Sequence, residues 1–303
     1  MDCDVLIIGA GPAGLTAAIY VSRQGLRSIV LEESVIGGRT TYAHLIDNYP
    51  GFPEGISGTE LILRFAKQAE KFGSIIKPGE GVKEVEVLGK IKEAVTANDR
   101  YRSKAIVIAT GLKQKRLQIP GEDRLLGRGV SYCATCDGFF FRNKKVAVIG
   151  GGNEAASDLL YLSSLTDKIV WLVGEGGVTA EESYLAKIRE IGVAPITGVR
   201  VLELLGKDRM EGIIIERGGT QEKVEVDGAF IAVGSVPTVE ILKRAGIKVD
   251  ENGFVKTNEE METNFAGVFA AGDCTGKSHQ VIVAAGQGAV AGIKAAAYAK
   301  MKG

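Results

Sequence analysis

Cysteine and histidine are scarce in this chain. Its 303 residues include four cysteines and two histidines, His44 and His279. A structural zinc site usually takes four Cys or His ligands, so few remain to complete one. There is no excess of positive charge either. Lys+Arg and Asp+Glu are balanced at 37 each, with no basic block. That argues against nucleic acid or an anionic membrane as the main partner. The first residues, MDCDVLIIGAG, carry no charged leader or cleavage site, and no apolar run reads as a membrane span. With few cysteines and no secretion signal, the expected location is cytoplasmic, where a CxxC pair is more often catalytic than structural. Hydrophobic residues, at 45%, and glycine, at 41 residues, are abundant. The length suits two domains of ordinary size, and the glycines suggest many tight turns.

Val130–Phe141 reads VSYCATCDGFFF. Cys133 and Cys136 are spaced to close and reopen a small disulfide ring, and Asp137 follows directly, placed to tune a thiol and move its proton. The competing readings are half of a zinc site and an inert buried pair. Only Cys3 and Cys274 remain as further thiols, and they form no second CxxC.

The start of the chain has the order of a dinucleotide-binding unit. Val5–Ile8 reads as a buried parallel strand, and Gly9, Gly11 and Gly14 follow as GxGxxG before an apolar-periodic helix to about Gln24. A second strand, Ser28–Leu31, ends at Glu32 and Glu33. The glycines let a pyrophosphate approach the helix N-terminus, and the acid can bond a ribose hydroxyl. A loop opens at Gly37, Gly38 and Arg39 and runs to DNYPGFP. Gly58–Phe72 then reads as a helix with Leu61, Leu63, Phe65, Ala66 and Ala69 inward. Val82–Thr96 alternates as a β excursion, and Ala105–Ala109 is a strand ending at Thr110–Gly111.

The pattern starts again at Lys145–Ile149, where Gly150, Gly152 and Ala155 give GxGxxA. Gly9 and Gly150 lie 141 positions apart, an internal repeat that predicts two dinucleotide-type domains. Ile169–Val173 is the next strand, but Gly174–Ala180 after it holds no basic residue and one acid, Glu175. A 2′-phosphate calls for arginine or lysine at that place. Glu154, inside the glycine turn, would crowd a pyrophosphate. Both features weigh against NADPH. Glu181–Ile191 reads as a helix, and Met210–Arg217 with Glu222–Asp227 as a hairpin. Gly267–Ala271 is a last strand, closed by Gly272–Asp273. From Gln280 a long Ala-rich helix offers its first-turn N–H groups to an electron-rich ligand atom.

GAGPAG (Gly9–Gly14), GGR…DNYPG (Gly37–Gly51), IATG (Ile108–Gly111), SYCATCDG (Ser131–Gly138), GGGNEA (Gly150–Ala155) and VFAAGD…QVIVAAGQG (Val268–Gly288) resemble the low-molecular-weight thioredoxin reductases over nearly the whole length. The resemblance implies an α/β fold of two Rossmann-like, three-layer ββα domains, the second inserted into the first. The FAD domain would be 1–112 with 244–303, and the pyridine-nucleotide-type domain 113–243. It implies a homodimer with FAD in each subunit, serving thioredoxin or a glutaredoxin-like protein. Cys136 would face the flavin, Cys133 attack the partner disulfide and Asp137 act as acid–base. FAD contacts would come from Gly9, Gly11, Pro12, Ala13, Gly14, Glu32, Glu33, Gly38, Arg39, Asn48, Val82, Ala109, Thr110, Gly111, Gly272, Asp273, Gln280 and Val281. Arg39 stands where many relatives have glutamine.

A second nucleotide site would use Gly150, Gly152, Asn153, Glu154 and Glu175. Typical NADPH-using members carry His-Arg-Arg where this chain has Gly-Glu-Gly. Ferredoxin, reduced deazaflavin or NADH is therefore the expected donor. The inserted domain is expected to rotate about linkers near Lys113–Gln118 and Lys243–Ala245, so that the disulfide meets flavin and partner in turn. A flavin-dependent dithiol oxidase using oxygen and a non-enzymatic flavoprotein are the alternatives.

Overall fold

The runs VLII, AIVI and VAVI have no polar position, so as strands they need cover on both faces. The computed structural model, which describes residues 2–43, 45–237, 240–277 and 279–301, provides that cover twice. The chain divides into two compact units, Met1–Lys113 with Val236–Gly303, and Gln114–Ser235.

In the first unit a five-stranded parallel sheet runs in the order Val268–Ala270, Ala105–Ile108, Val5–Ile8, Ser28–Glu32, Ile75–Pro78. Val5 pairs with Ser28 on one side and Ala105 on the other. Alternate residues of each strand point to opposite faces. Val5 and Ile7 therefore pack with helices Pro12–Ser22, Gly58–Lys71 and Val281–Met301, while Leu6 and Ile8 pack with the antiparallel strands Glu84–Glu86, Lys92–Val95 and Arg100–Ser103. The result is three layers: helices, parallel sheet and antiparallel sheet.

The second unit repeats the plan. Its parallel sheet runs Pro195–Ile196, Ile169–Leu172, Val146–Ile149, Gly228–Ile231, Val130–Ser131. Val146 and Val148 face helix Asn153–Ser163, and Ala147 and Ile149 face the antiparallel strands Val199–Leu205, Gly212–Arg217 and Thr220–Val224. The edge strand Val130–Ser131, which leads into the CxxC segment, holds the sheet position that Val268–Ala270 holds in the first unit.

Three details depart from expectation. Leu63 is exposed and Ile62 is buried instead, while Leu61, Ala66 and Ala69 of Gly58–Lys71 are buried as expected. Leu242, expected with the inserted domain, is buried in the first unit with Ile247, Val255 and Val268. Val281–Met301, at 21 residues, is long and apolar enough to cross a membrane by length and composition. Its Ala284, Ala285, Gly288, Ala291, Gly292 and Ala295 are buried, and a Cβ on Gly288 would strike the Ala13 carbonyl. Small residues here let two backbones approach closely.

Candidate active site

The first-unit cradle begins at the end of Val5–Ile8. Gly9 has φ +106°, and a side chain there would strike the Ala109 carbonyl. A Cβ on Gly14 would strike the Gly9 carbonyl, whereas around Gly11 nothing lies within 4 Å. The turn is thus closed on its protein side and open at Gly11, ahead of the helix N-terminus at Pro12 and Ala13. Glu32 orders this turn: its Oε2 accepts the Ala10 N–H at 2.8 Å and its Oε1 the Ser34 N–H at 2.9 Å. Glu33 pairs with Lys113 at 3.0 Å and Lys83 at 3.9 Å. Gly37 donates to the Ala10 carbonyl at 2.8 Å, which brings Gly38 and Arg39 to the turn.

Arg39 lies 3.8 Å from Asp273. Burial raises the Asp273 carboxyl, and His279 and Arg39 oppose that rise. Asn48 donates to Gln280 at 3.0 Å, tying the DNYPG loop to the start of helix Val281–Met301. Gln287 accepts the Gly272 N–H at 2.7 Å and fixes the turn before Asp273. Val82 packs, partly buried, against the sheet. Thr110 Oγ1, between Ala109 and Gly111, is buried and has no hydrogen bond of ordinary length, with the Cys274 thiol as its polar neighbour. An open glycine turn and an orphaned buried hydroxyl at the strand ends fit an FAD bound across this edge.

The second glycine turn is more crowded. A Cβ on Gly150 would strike the Ala232 carbonyl, and the nearest atom to one on Gly152 is Thr179 Oγ1 at 3.7 Å. The loop after Ile169–Leu172 folds back over this turn. Thr179 and Ala180 donate to the Gly151 carbonyl at 2.7 and 3.0 Å, and Asn153 and Glu181 exchange two bonds at 2.7 and 2.8 Å. Glu175 is exposed. Beside the turn is a cavity of about 240 Å³, lined mainly by apolar residues such as Ile149, Leu172, Val199 and Val233, with Arg200 its one charged side chain. Arg200 bonds Glu216 through Nε at 2.9 Å. Asp158, one turn beyond Glu154, is buried, and burial raises its carboxyl well above the ordinary range.

The CxxC segment follows the edge strand. Cys133 and Cys136 are joined as a disulfide with Cα atoms 5.3 Å apart. Cys133 caps the short helix Ala134–Asp137, its sulfur accepting the Cys136 N–H at 3.1 Å. Asp137 Oδ2 accepts the Ser131 hydroxyl at 2.6 Å, and Ser131 Oγ accepts the Cys133 N–H at 3.0 Å. Cys136 is exposed, but Cys133 is only 8% exposed. Phe139 and Phe140, just beyond, are 64% and 70% exposed.

Sequence reasoning missed Ser131, Gln114, Glu122, Tyr132, Arg200 and Gln287. Gln114 Nε2 donates to the Tyr132 carbonyl at 2.7 Å and to Glu154 at 3.1 Å. Burial alone would raise the Glu122 carboxyl. The Tyr132 phenol, the Leu117 and Gln118 N–H groups and Arg116 outweigh it and hold the carboxyl below its ordinary value. Burial and the carboxylate push the Tyr132 phenol up to about 12. Of these residues Ser131 and Tyr132 had a local signal, their places beside Cys133 in SYCATCDG, and Gln287 lies in QVIVAAGQG. The free thiols Cys3 and Cys274 are buried, which raises them to about 12 and 11. Among the described residues, no three Cys, His, Asp or Glu side chains converge as metal ligands.

Residues 3–288 match the family described as pyridine nucleotide-disulphide oxidoreductase. The chain is 40% identical over 301 residues to a thioredoxin reductase of Listeria innocua, covering 97% of this chain and 93% of that one. The thioredoxin reductase of Lactococcus lactis superposes with a TM-score of 0.92 at 35% identity, covering 99% of this chain and all of its own. A ferredoxin-flavin thioredoxin reductase of Clostridium acetobutylicum aligns at 31% identity and a TM-score of 0.54, covering 99% of both chains.

Proposed function

The chain belongs to the pyridine nucleotide-disulphide oxidoreductase family, among its thioredoxin reductases, and from that premise we propose that it reduces a thioredoxin disulfide with electrons carried by FAD. The observation that carries this reading is the Cys133–Cys136 disulfide with Asp137 and Ser131 bonded beside it.

FAD, when bound, supplies the two-electron carrier between donor and disulfide. The N–H groups behind Gly11 would hold its pyrophosphate, and Glu32 a ribose hydroxyl. Arg39, Asn48, Thr110, Asp273 and the helix start at Gln280–Val281 would hold the rest. The dipole of Val281–Met301 and the Arg39 guanidinium would offer positive potential to an electron-rich part of the bound group.

In the dithiol, Cys136 is the sulfur that received electrons and Cys133 is the one that attacks. Asp137, fixed by Ser131, takes and returns the thiol proton. Attack on a protein disulfide needs an accessible thiolate, and Cys133 at 8% exposure is covered. A conformational step must therefore uncover it, and rotation of the inserted unit about its two chain crossings is the step we assign. The exposed Phe139 and Phe140 supply an apolar landing surface for the partner. The active molecule is a homodimer.

The donor is ferredoxin, reduced deazaflavin or NADH rather than NADPH. In support, Gly174–Ala180 holds no cation, Glu175 lies there, and the Arg200 guanidinium beside the cavity is already bonded to Glu216. The test is anaerobic mixing of holoenzyme with each donor, following flavin bleaching and then thioredoxin reduction. NADPH should bleach slowly, and a better donor should bleach quickly and drive thioredoxin reduction. Rapid bleaching by micromolar NADPH would overturn the donor assignment, and failure to reduce any thioredoxin would overturn the function.

A further inference from the structure

Tyr132, directly before Cys133, is held at two points. Its phenol donates to Glu122, and its carbonyl accepts the Gln114 amide at 2.7 Å. Gln114 is the first residue of the second unit. Glu122 also grips the segment that follows Gln114. Its Oε1 accepts the Leu117 N–H at 3.0 Å, its Oε2 accepts the Gln118 N–H at 2.6 Å, and Arg116 stands 3.6 Å away.

Gln118 has φ +57°, a left-handed backbone in a non-glycine residue. Such a conformation is strained in a non-glycine residue, and the Gln118 N–H bond to the Glu122 carboxylate helps hold it. Glu122 is 1% exposed. A buried carboxylate with this many donors is a fixed point, and both the entering segment and the residue before Cys133 are fastened to it.

We propose that Gln114 and Glu122 are positioning residues that act through Tyr132, holding Cys133 covered until movement of the entering segment releases it. This rests on the reading above, in which Cys133 attacks the partner. There, the Cys133 thiolate bonds one sulfur of the partner disulfide as that S–S bond breaks and the other sulfur leaves as thiolate. Cys136 then displaces the partner, which takes the electron pair and re-forms the Cys133–Cys136 bond. If the first step waits on the entering segment, the thiol stays covered while the segment is at rest.

The test uses FAD-loaded wild type, Tyr132→Phe and Gln114→Leu. Each is reduced anaerobically to the dithiol and pulsed with iodoacetamide, and the label at Cys133 and Cys136 is read by mass spectrometry across pH. In wild type Cys136 should label first. Each variant should raise the Cys133 to Cys136 ratio about tenfold, with the pH midpoint of labelling unmoved. Tyr132→Phe leaves the bonds from Glu122 to Leu117 and Gln118 in place, so it tests the latch even where Glu122→Gln fails to fold. An unchanged ratio, or a parallel rise at both cysteines, overturns the proposal. A wild-type pair that cannot be reduced brings down the functional reading beneath it. A wild-type pair that reduces normally, with unchanged ratios in the variants, brings down the latch alone.

Discussion

Asp158 and Glu122 are both buried acids of the second unit, yet their surroundings act on them in opposite directions. Glu122 accepts a phenol, two backbone N–H groups and the pull of Arg116, and stays ionised. Asp158 has burial and the nearby Glu154 against ionisation, and stays protonated to well above its ordinary value of 3.8. The folded state therefore binds a proton at Asp158 that the unfolded chain releases. The resulting stability is fully present below the unfolded value and is lost as pH rises through the raised folded one. Asp158→Asn keeps the shape without the titration. It should be more stable than wild type at pH 7, with the advantage shrinking as pH falls toward 4, as measured by denaturant unfolding. An equal difference at both pH values would show that Asp158 is ionised or irrelevant. Cys3 and Cys274, raised by burial to about 12 and 11, should stay unlabelled in the folded protein and serve as internal standards for the redox pair.

At the scale of elements, the C-terminal helix shows how far local pattern carries. Its alanines and glycines read as a long helix, but not which glycines are pressed against a neighbour. A Cβ on Gly288 would strike the Ala13 carbonyl, while Gly286, two residues earlier, has nothing within 4 Å. Gly286→Ala should stabilise the unit by up to about 1 kcal/mol through helix propensity. Gly288→Ala should lose more than that gain, by about 1–3 kcal/mol of overpacking, and should loosen flavin retention. Thermal unfolding and flavin release of the two variants give the comparison; equal shifts would mean the helix contact is not tight. The same limit governed the rest of the reading. Apolar runs followed by glycines marked Val5–Ile8, Ala105–Ile108 and Val146–Ile149, because a doubly covered strand tolerates no polar residue. Strand Val199–Leu205 went unread, since its polar and apolar residues mix where an edge meets solvent. Ile62 is buried and Leu63 exposed because Ile62 lies four residues before Ala66 on the inner face, whereas Leu63 lies off it. The bonds of Gln114 and Glu122 to Tyr132 span 18 and 10 residues, and no periodicity signals them.

For the whole molecule, the two units repeat one topology but use its edge differently. Where the first unit follows its edge strand with Gly272–Asp273, the second follows its own with Cys133–Cys136. On this account one unit holds the electron carrier and the other presents the disulfide, and turnover consists of passing electrons between them. The most direct measurement is an anaerobic reductive titration of the FAD-loaded protein, counting electrons accepted per flavin. The account predicts about four for wild type, two at the flavin and two at the disulfide, and about two for Cys133→Ser. An uptake of two in both would mean that the cystine never communicates with the flavin, and would contradict the account.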